Sequence, residues 1–159
     1  MPKITVKQKI TPFLWFEKDA GKIAKFYTSV FKGSKIKDSS VLHDTPSGTV
    51  AVVTVELLGQ DITLMSAGPI FKLNEAVSFV VKCKDQKEID YYWEKLSADP
   101  KAEQCGWLKD KYGLSWQIVP IVLDKMLQDK DKDKAARVTQ AFLQMKKFDI
   151  KALEKAYKG

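Results

Sequence analysis

A thiol, two indoles and a primary amide are crowded into residues 103–120, as Cys105, Trp107, Trp116 and Gln117. The runs that carry them alternate apolar and polar residues and are joined by Lys109, Asp110, Lys111, Tyr112 and Gly113, a turn-type sequence, so a hairpin is expected. Aromatic faces give contact area and a few polar atoms give orientation, which is the chemistry of a small-molecule wall. An ordinary sheet core with one satisfied amide would use the same residues. Trp107 is thus either a stacking surface or packing, and Gln117 either orients a ligand or satisfies a neighbouring backbone group. For Cys105 to act as a nucleophile, a base or positive field must generate its thiolate, and no such partner stands nearby in the sequence. A buried, inert thiol is the expectation.

The remaining reactive groups do not assemble into a catalytic set. Glu56, Glu75 and Glu103 fall in or beside strand-like runs, but their spacing places no pair as acid and base. The single histidine, His43, sits beside Asp44 at an expected strand end and reads as polar surface. Cys83 and Cys105 have neither CxxC spacing nor histidine companions, so reduced core thiols are expected rather than a disulfide framework or zinc site.

The elements that must position these residues belong to a chain of 159 residues, 45% hydrophobic and 30% charged, enough for a single domain over 1–159 with a substantial core. Apolar runs such as 51–55 and 118–123 are too short to span a bilayer, and residues 1–7 lack a signal-peptide core, so a cytoplasmic protein without a membrane partner is expected. A net charge of +7 raises the question of nucleic acid. Lysines alternate with acids, as over 124–134, which is the pattern of a solvated helical face, and nucleic acid ranks last among the expected partners.

Residues 9–17 are rich in aromatic and branched side chains and read as a strand near an edge or seam because of Pro12. Asp19 can cap a helix carrying Ile23, Phe26, Tyr27, Val30 and Phe31, which Gly33 stops. Strand-like runs at 34–42, 49–58 and 61–67 follow, with short turns that favour an antiparallel meander. The order then begins again: a strand over 76–83, a helix capped by Asp85 with Ile89, Tyr92, Trp93 and Leu96 on one stripe, and the hairpin, with room for a third short strand near 108–112. This internal repeat predicts an α+β fold, a mixed sheet with helices on one face. From 121 to 159 the pattern is helical, with stripes at Leu123, Met126 and Leu127, then Ala135, Val138, Phe142 and Met145, then Ile150, Leu153 and Tyr157 after Asp149.

Several of these segments resemble the PhnB-like family of the vicinal oxygen chelate superfamily, alongside glyoxalase I and the bleomycin-resistance proteins: 12–16, the Phe26-Tyr27 pair, 74–81, 91–96, 105–120 and 140–150. Members are sometimes labelled demethylubiquinone methyltransferase-like. The resemblance implies paired βαβββ modules, here about 9–67 and 75–120 with a helical extension over 121–159, forming a curved mixed sheet around a ligand cup, usually in a homodimer. It further implies, for the metal-dependent enzymes, one His or Glu ligand from each of four strands. The corresponding positions here are Pro12, Met65, Ala76 and Gln117, which offer a hard divalent cation almost nothing. No cofactor is expected, a divalent metal entering only if that placement is wrong. No glycine-rich loop follows the first strand to hold a methyl donor.

Alternation from those positions puts Pro12, Leu14, Met65, Ala76, Ser78, Ser115 and Gln117 on the concave side, with Phe13, Trp15, Val77, Phe79, Trp116 and Ile118 under the helices. Cys105 and Trp107 share a face on the neighbouring strand, assigned to the cup. The expected ligand-binding set is therefore Leu14, Met65, Ser78, Cys105, Trp107, Ser115 and Gln117. Sequestration or sensing of a small organic molecule is the expected function. The alternatives are a superfamily enzyme (isomerase, dioxygenase or thiol transferase) with atypical ligands and, third, nucleic-acid binding through basic surface.

Overall fold

A computed structural model describes residues 8–159; residues 1–7, on which the expectation about a signal peptide rests, lie outside the described residues. The chain divides into two compact units, Met1–Leu73 and Asn74–Gly159. Among the described residues no helix is long and apolar enough to cross a membrane.

The first unit runs β1 (Phe13–Phe16), α1 (Ala20–Val30), β2 (Lys35–Thr45), β3 (Gly48–Leu57) and β4 (Gln60–Ser66). Its sheet has the order β1-β4-β3-β2, with β1 parallel to β4 and the other pairs antiparallel. The β3–β4 connection is tight because Leu58 and Gly59 both take left-handed backbone, φ 50° and 86°, the twist that a two-residue hairpin needs. β1 is shorter than the expected run over 9–17. Pro12 has no N–H to extend the ladder, and its carbonyl instead accepts from Thr63 N at 2.9 Å. Asp19 does stand before α1, but with φ 67° and no side-chain capping bond. Its carboxylate pairs with Lys22 at 3.3 Å instead.

One face of this sheet buries Leu14, Phe16, Val53, Val55, Ile62 and Leu64, and α1 packs on β3 and β4 with Ile23, Ala24, Tyr27 and Val30 buried. Each buried Val, Leu, Ile or Phe side chain among them contributes about 1.5–3 kcal/mol when withdrawn from water. This stripe sets which residues of β1 face the helix.

The second unit runs β5 (Ser78–Cys83), α2 (Gln86–Leu96), a 3-10 turn (Pro100–Ala102), β6 (Trp107–Lys109), β7 (Ser115–Pro120), α3 (Ile121–Leu127), α4 (Lys132–Leu143) and α5 (Ile150–Lys158). The sheet order is β5-β7-β6, with β5 parallel and β6 antiparallel to β7. The α+β repeat expected from the sequence is present, each unit pairing its first strand in parallel with its last. The second module has one strand fewer, because the chain turns at 110–114 where a third short strand was expected. Asp85 caps α2 as expected, accepting from Glu88 N at 2.9 Å, and Asp149 caps α5 through Ala152 N at 3.0 Å.

The C-terminal extension docks on its own unit. Cys105 N donates to Met145 O at 2.8 Å and Gly106 N to Lys146 O at 2.7 Å, while Gln86 at the start of α2 donates to Phe148 O and accepts from Ile150 N. Arg137 on α4 donates to the carbonyls of Ala156 and Tyr157, tying α4 to the end of α5.

Candidate ligand-binding face

In the second unit the register sorts the side chains into two faces. Leu108, Trp116, Ile118, Val81 and Cys83 are buried on the face that α2 covers with Ile89 and Leu96. The opposite face carries two rows running across the strands, Lys109–Ser115–Ser78 and Trp107–Gln117–Val80. Ser78, Trp107, Ser115 and Gln117 thus share one face, the face away from α2. Gln117 Nε2 donates to Ser78 Oγ at 2.8 Å, which fixes the amide and turns its oxygen towards whatever offers a donor. Trp107, half-buried, is the paired neighbour of Gln117 across the strands.

Cys105 does not join them. Gln104 and Trp107 exchange backbone hydrogen bonds at 3.2 and 2.8 Å, closing a two-residue turn in which Cys105 and Gly106 take φ 50° and 81°. Cys105 is therefore at a hairpin tip rather than in strand alternation with Trp107, and its Sγ points to Leu143 O at 3.8 Å.

Leu14 and Met65 belong to the first unit and lie on opposite faces of its sheet. Leu14 pairs with Leu64 and is buried on the α1 side, so its expected place in a cup is corrected. The same inversion moves Phe13 and Trp15 away from α1: Trp15 pairs with Met65, and its indole donates to Gly68 O at 2.8 Å. Alternation counted from Pro12 fails because the buried stripe of α1 selects the even-numbered residues of β1. Val77, also expected under the helices, is exposed and precedes β5.

Sequence reasoning missed two groups. Asp110 is a buried carboxylate that accepts from Trp116 Nε1 at 2.8 Å and from the backbone of Tyr112 and Leu114 at 2.8 and 3.1 Å. Its place three residues before Gly113 is the available signal for an Asx-type turn. The second is the ion pair between Lys109 and Glu75. It holds the Glu75 carboxyl below its usual range, chiefly through the hydrogen bond from Lys109.

His43 lies exposed in β2, with Nδ1 3.4 Å from Thr49 Oγ1. Among the described residues no group of three or more His, Cys, Asp or Glu could hold a metal ion.

Repeated strand–helix–strand modules with a parallel first-to-last pairing define a glyoxalase/bleomycin-resistance-type fold. Residues 8–119 match the family described as 3-demethylubiquinone-9 3-methyltransferase. The chain is similar to the PhnB protein from Bacillus cereus, with 33% identity, 71% of this chain and 99% of that chain covered, and a TM-score of 0.59. It therefore belongs to the PhnB-like family of the vicinal oxygen chelate superfamily. The fosfomycin resistance protein FosX from Listeria monocytogenes shares the fold, with 15% identity, 79% of this chain and 100% of that chain covered, and a TM-score of 0.56. No curated protein matches the chain.

Proposed function

We propose that the protein binds a small planar organic molecule on the face of the β5-β7-β6 sheet away from α2, without a metal tetrad, and so sequesters or senses it. The observation that carries this reading is the Trp107–Gln117 pair: an indole to cover a ring, beside an amide held in place by Ser78. Together they supply area and orientation, which is what a small-ligand wall requires.

The four positions that the resemblance assigns to metal ligands do not suit a hard divalent ion. Pro12 and Ala76 have no ligating side chain, Met65 offers a soft thioether, and Gln117 offers one neutral amide oxygen. The methyl transfer in the family's name lacks a cradle as well, since Glu17, Lys18 and Asp19, with no glycine among them, connect β1 to α1.

The protein acts as a homodimer in the cytoplasm. An edge strand, β2, that leaves Ile36, Val41 and Leu42 exposed supports a second copy as its cover. Two free cysteines suit a reducing compartment.

Titration with planar aromatic compounds tests the binding reading. Saturable binding weakened about tenfold by Trp107→Ala supports it, since loss of a ring contact and its buried area is of that order. Absence of saturable binding, or indifference to Trp107→Ala, contradicts it.

A further inference from the structure

One polar group on the face away from α2 takes no part in the Trp107–Gln117 pair. Ser115 is 1% exposed, and its Oγ has no hydrogen-bond partner among the described residues. Buried hydroxyls normally find one, so an orphan calls for a reason. The register sets Ser115 between Lys109 on β6 and Ser78 on β5, making a single row of three polar side chains.

Lys109 explains what happens over that row. Its side chain is 24% exposed, and its ammonium pairs with Glu75, whose own side chain is 62% exposed and which lies three residues before Ser78. The strands β6 and β5 flank β7 and stand about 10 Å apart, twice the usual strand spacing. Lys109 and Ser115 are paired neighbours on this face, and Glu75 precedes β5, so the Lys109 side chain reaches across the Ser115 end of β7 to make the pair. An ammonium held by a carboxylate on exposed loop thus stands on the same row as a hydroxyl without a partner.

We infer that the Lys109–Ser115–Ser78 row is a carboxylate subsite, in which Glu75 occupies the cation until a ligand carboxylate replaces it. The inference rests on the proposed function and names its ligand class: a planar organic acid whose ring covers Trp107 while its carboxylate accepts from Lys109 Nζ and Ser115 Oγ. Trp107 lies two residues before Lys109 on the same face of β6, so ring and carboxylate fall on neighbouring rows. Glu75 swings out to water on exchange, and being exposed it loses little by doing so. A single ammonium matches a monovalent carboxylate better than a dianion, which would also meet repulsion from Glu75 as it approached.

Benzoate and benzamide have the same shape and differ in charge, so they separate this inference from the reading beneath it. Both are titrated into the full chain and followed through the Trp107 indole N–H resonance. Glu75→Gln, at an exposed position that leaves the fold intact, tightens benzoate severalfold without changing benzamide. Lys109→Met weakens benzoate about tenfold and spares benzamide, as removal of a charge-assisted hydrogen bond should. Ser115→Ala weakens benzoate alone. Benzamide binding with benzoate no tighter in Glu75→Gln overturns the carboxylate subsite and leaves the small-molecule reading standing. Failure of both probes to bind overturns both.

Discussion

Asp110 Oδ2 accepts the indole N–H of Trp116 at 2.8 Å, and both residues are only 3% exposed. The other carboxylate oxygen accepts the backbone N–H groups of Tyr112 and Leu114. One side chain therefore shapes the β6–β7 turn and anchors the ring at the centre of the sheet's covered face. Asp110→Ala strands three donors, two of them in buried residues, and should cost about 3–5 kcal/mol. Asp110→Asn keeps one carbonyl acceptor but puts an amide against the remaining donors, so a smaller loss of about 1–2 kcal/mol is expected. Urea midpoints of the two variants check the order; an unchanged midpoint for Asp110→Ala would contradict it.

The turn around Asp110 shows what the sequence could and could not convey. Its residue types mark a turn, and the hairpin formed where they stand. Burial of the carboxylate depends on Trp116 arriving from the next strand, a tertiary event that leaves no local trace.

Gly106 lies at φ 81°, and a Cβ built on it would come 2.8 Å from Phe148 Cδ2. Gly106→Ala therefore combines left-handed strain with a collision against a buried ring. A loss of about 2–4 kcal/mol is expected. Because Gly106 N also bonds Lys146 O, hydrogen exchange should rise first in the segment joining α4 to α5. Protection unchanged in that segment would contradict this docking.

Cys83 is buried at the end of β5, and burial, followed by the carboxylates of Glu88 and Asp85, pushes its thiol up from 9.0 to about 12. Between those values the unfolded chain releases a proton that the folded chain retains. The stabilising contribution is thus complete below pH 9 and is lost as pH rises towards 12. Cys83→Ala should flatten that part of the stability profile relative to the parent. In the native protein a thiol reagent should modify half-exposed Cys105 quickly and Cys83 only on unfolding. Two equally fast thiols would contradict the burial of Cys83.

Particular residues show where strand alternation predicted the face of a side chain and where it did not. Ser78, Ser115 and Gln117 fall on one face because strand alternation, counted within regular β5 and β7, is a local rule. Leu14 fell on the wrong face because its count began at Pro12, outside the strand, whereas the buried stripe of α1 sets the parity of β1. Cys105 left the strand pattern because Cys105 and Gly106 together adopt a left-handed turn, a conformation that the thiol's residue type does not announce. The Lys109–Glu75 pair joins residues far apart in sequence, and only the β5-β7-β6 order brings them together.

The most direct test of the central claim follows the indole N–H resonances of the four tryptophans during a benzamide titration in excess EDTA. The Trp107 resonance should move saturably without any metal, while that of Trp116, held by Asp110 on the covered face, stays in place. A Trp107 resonance that responds only after Zn²⁺ is added, with the purified protein carrying stoichiometric metal, would contradict a metal-free binding face.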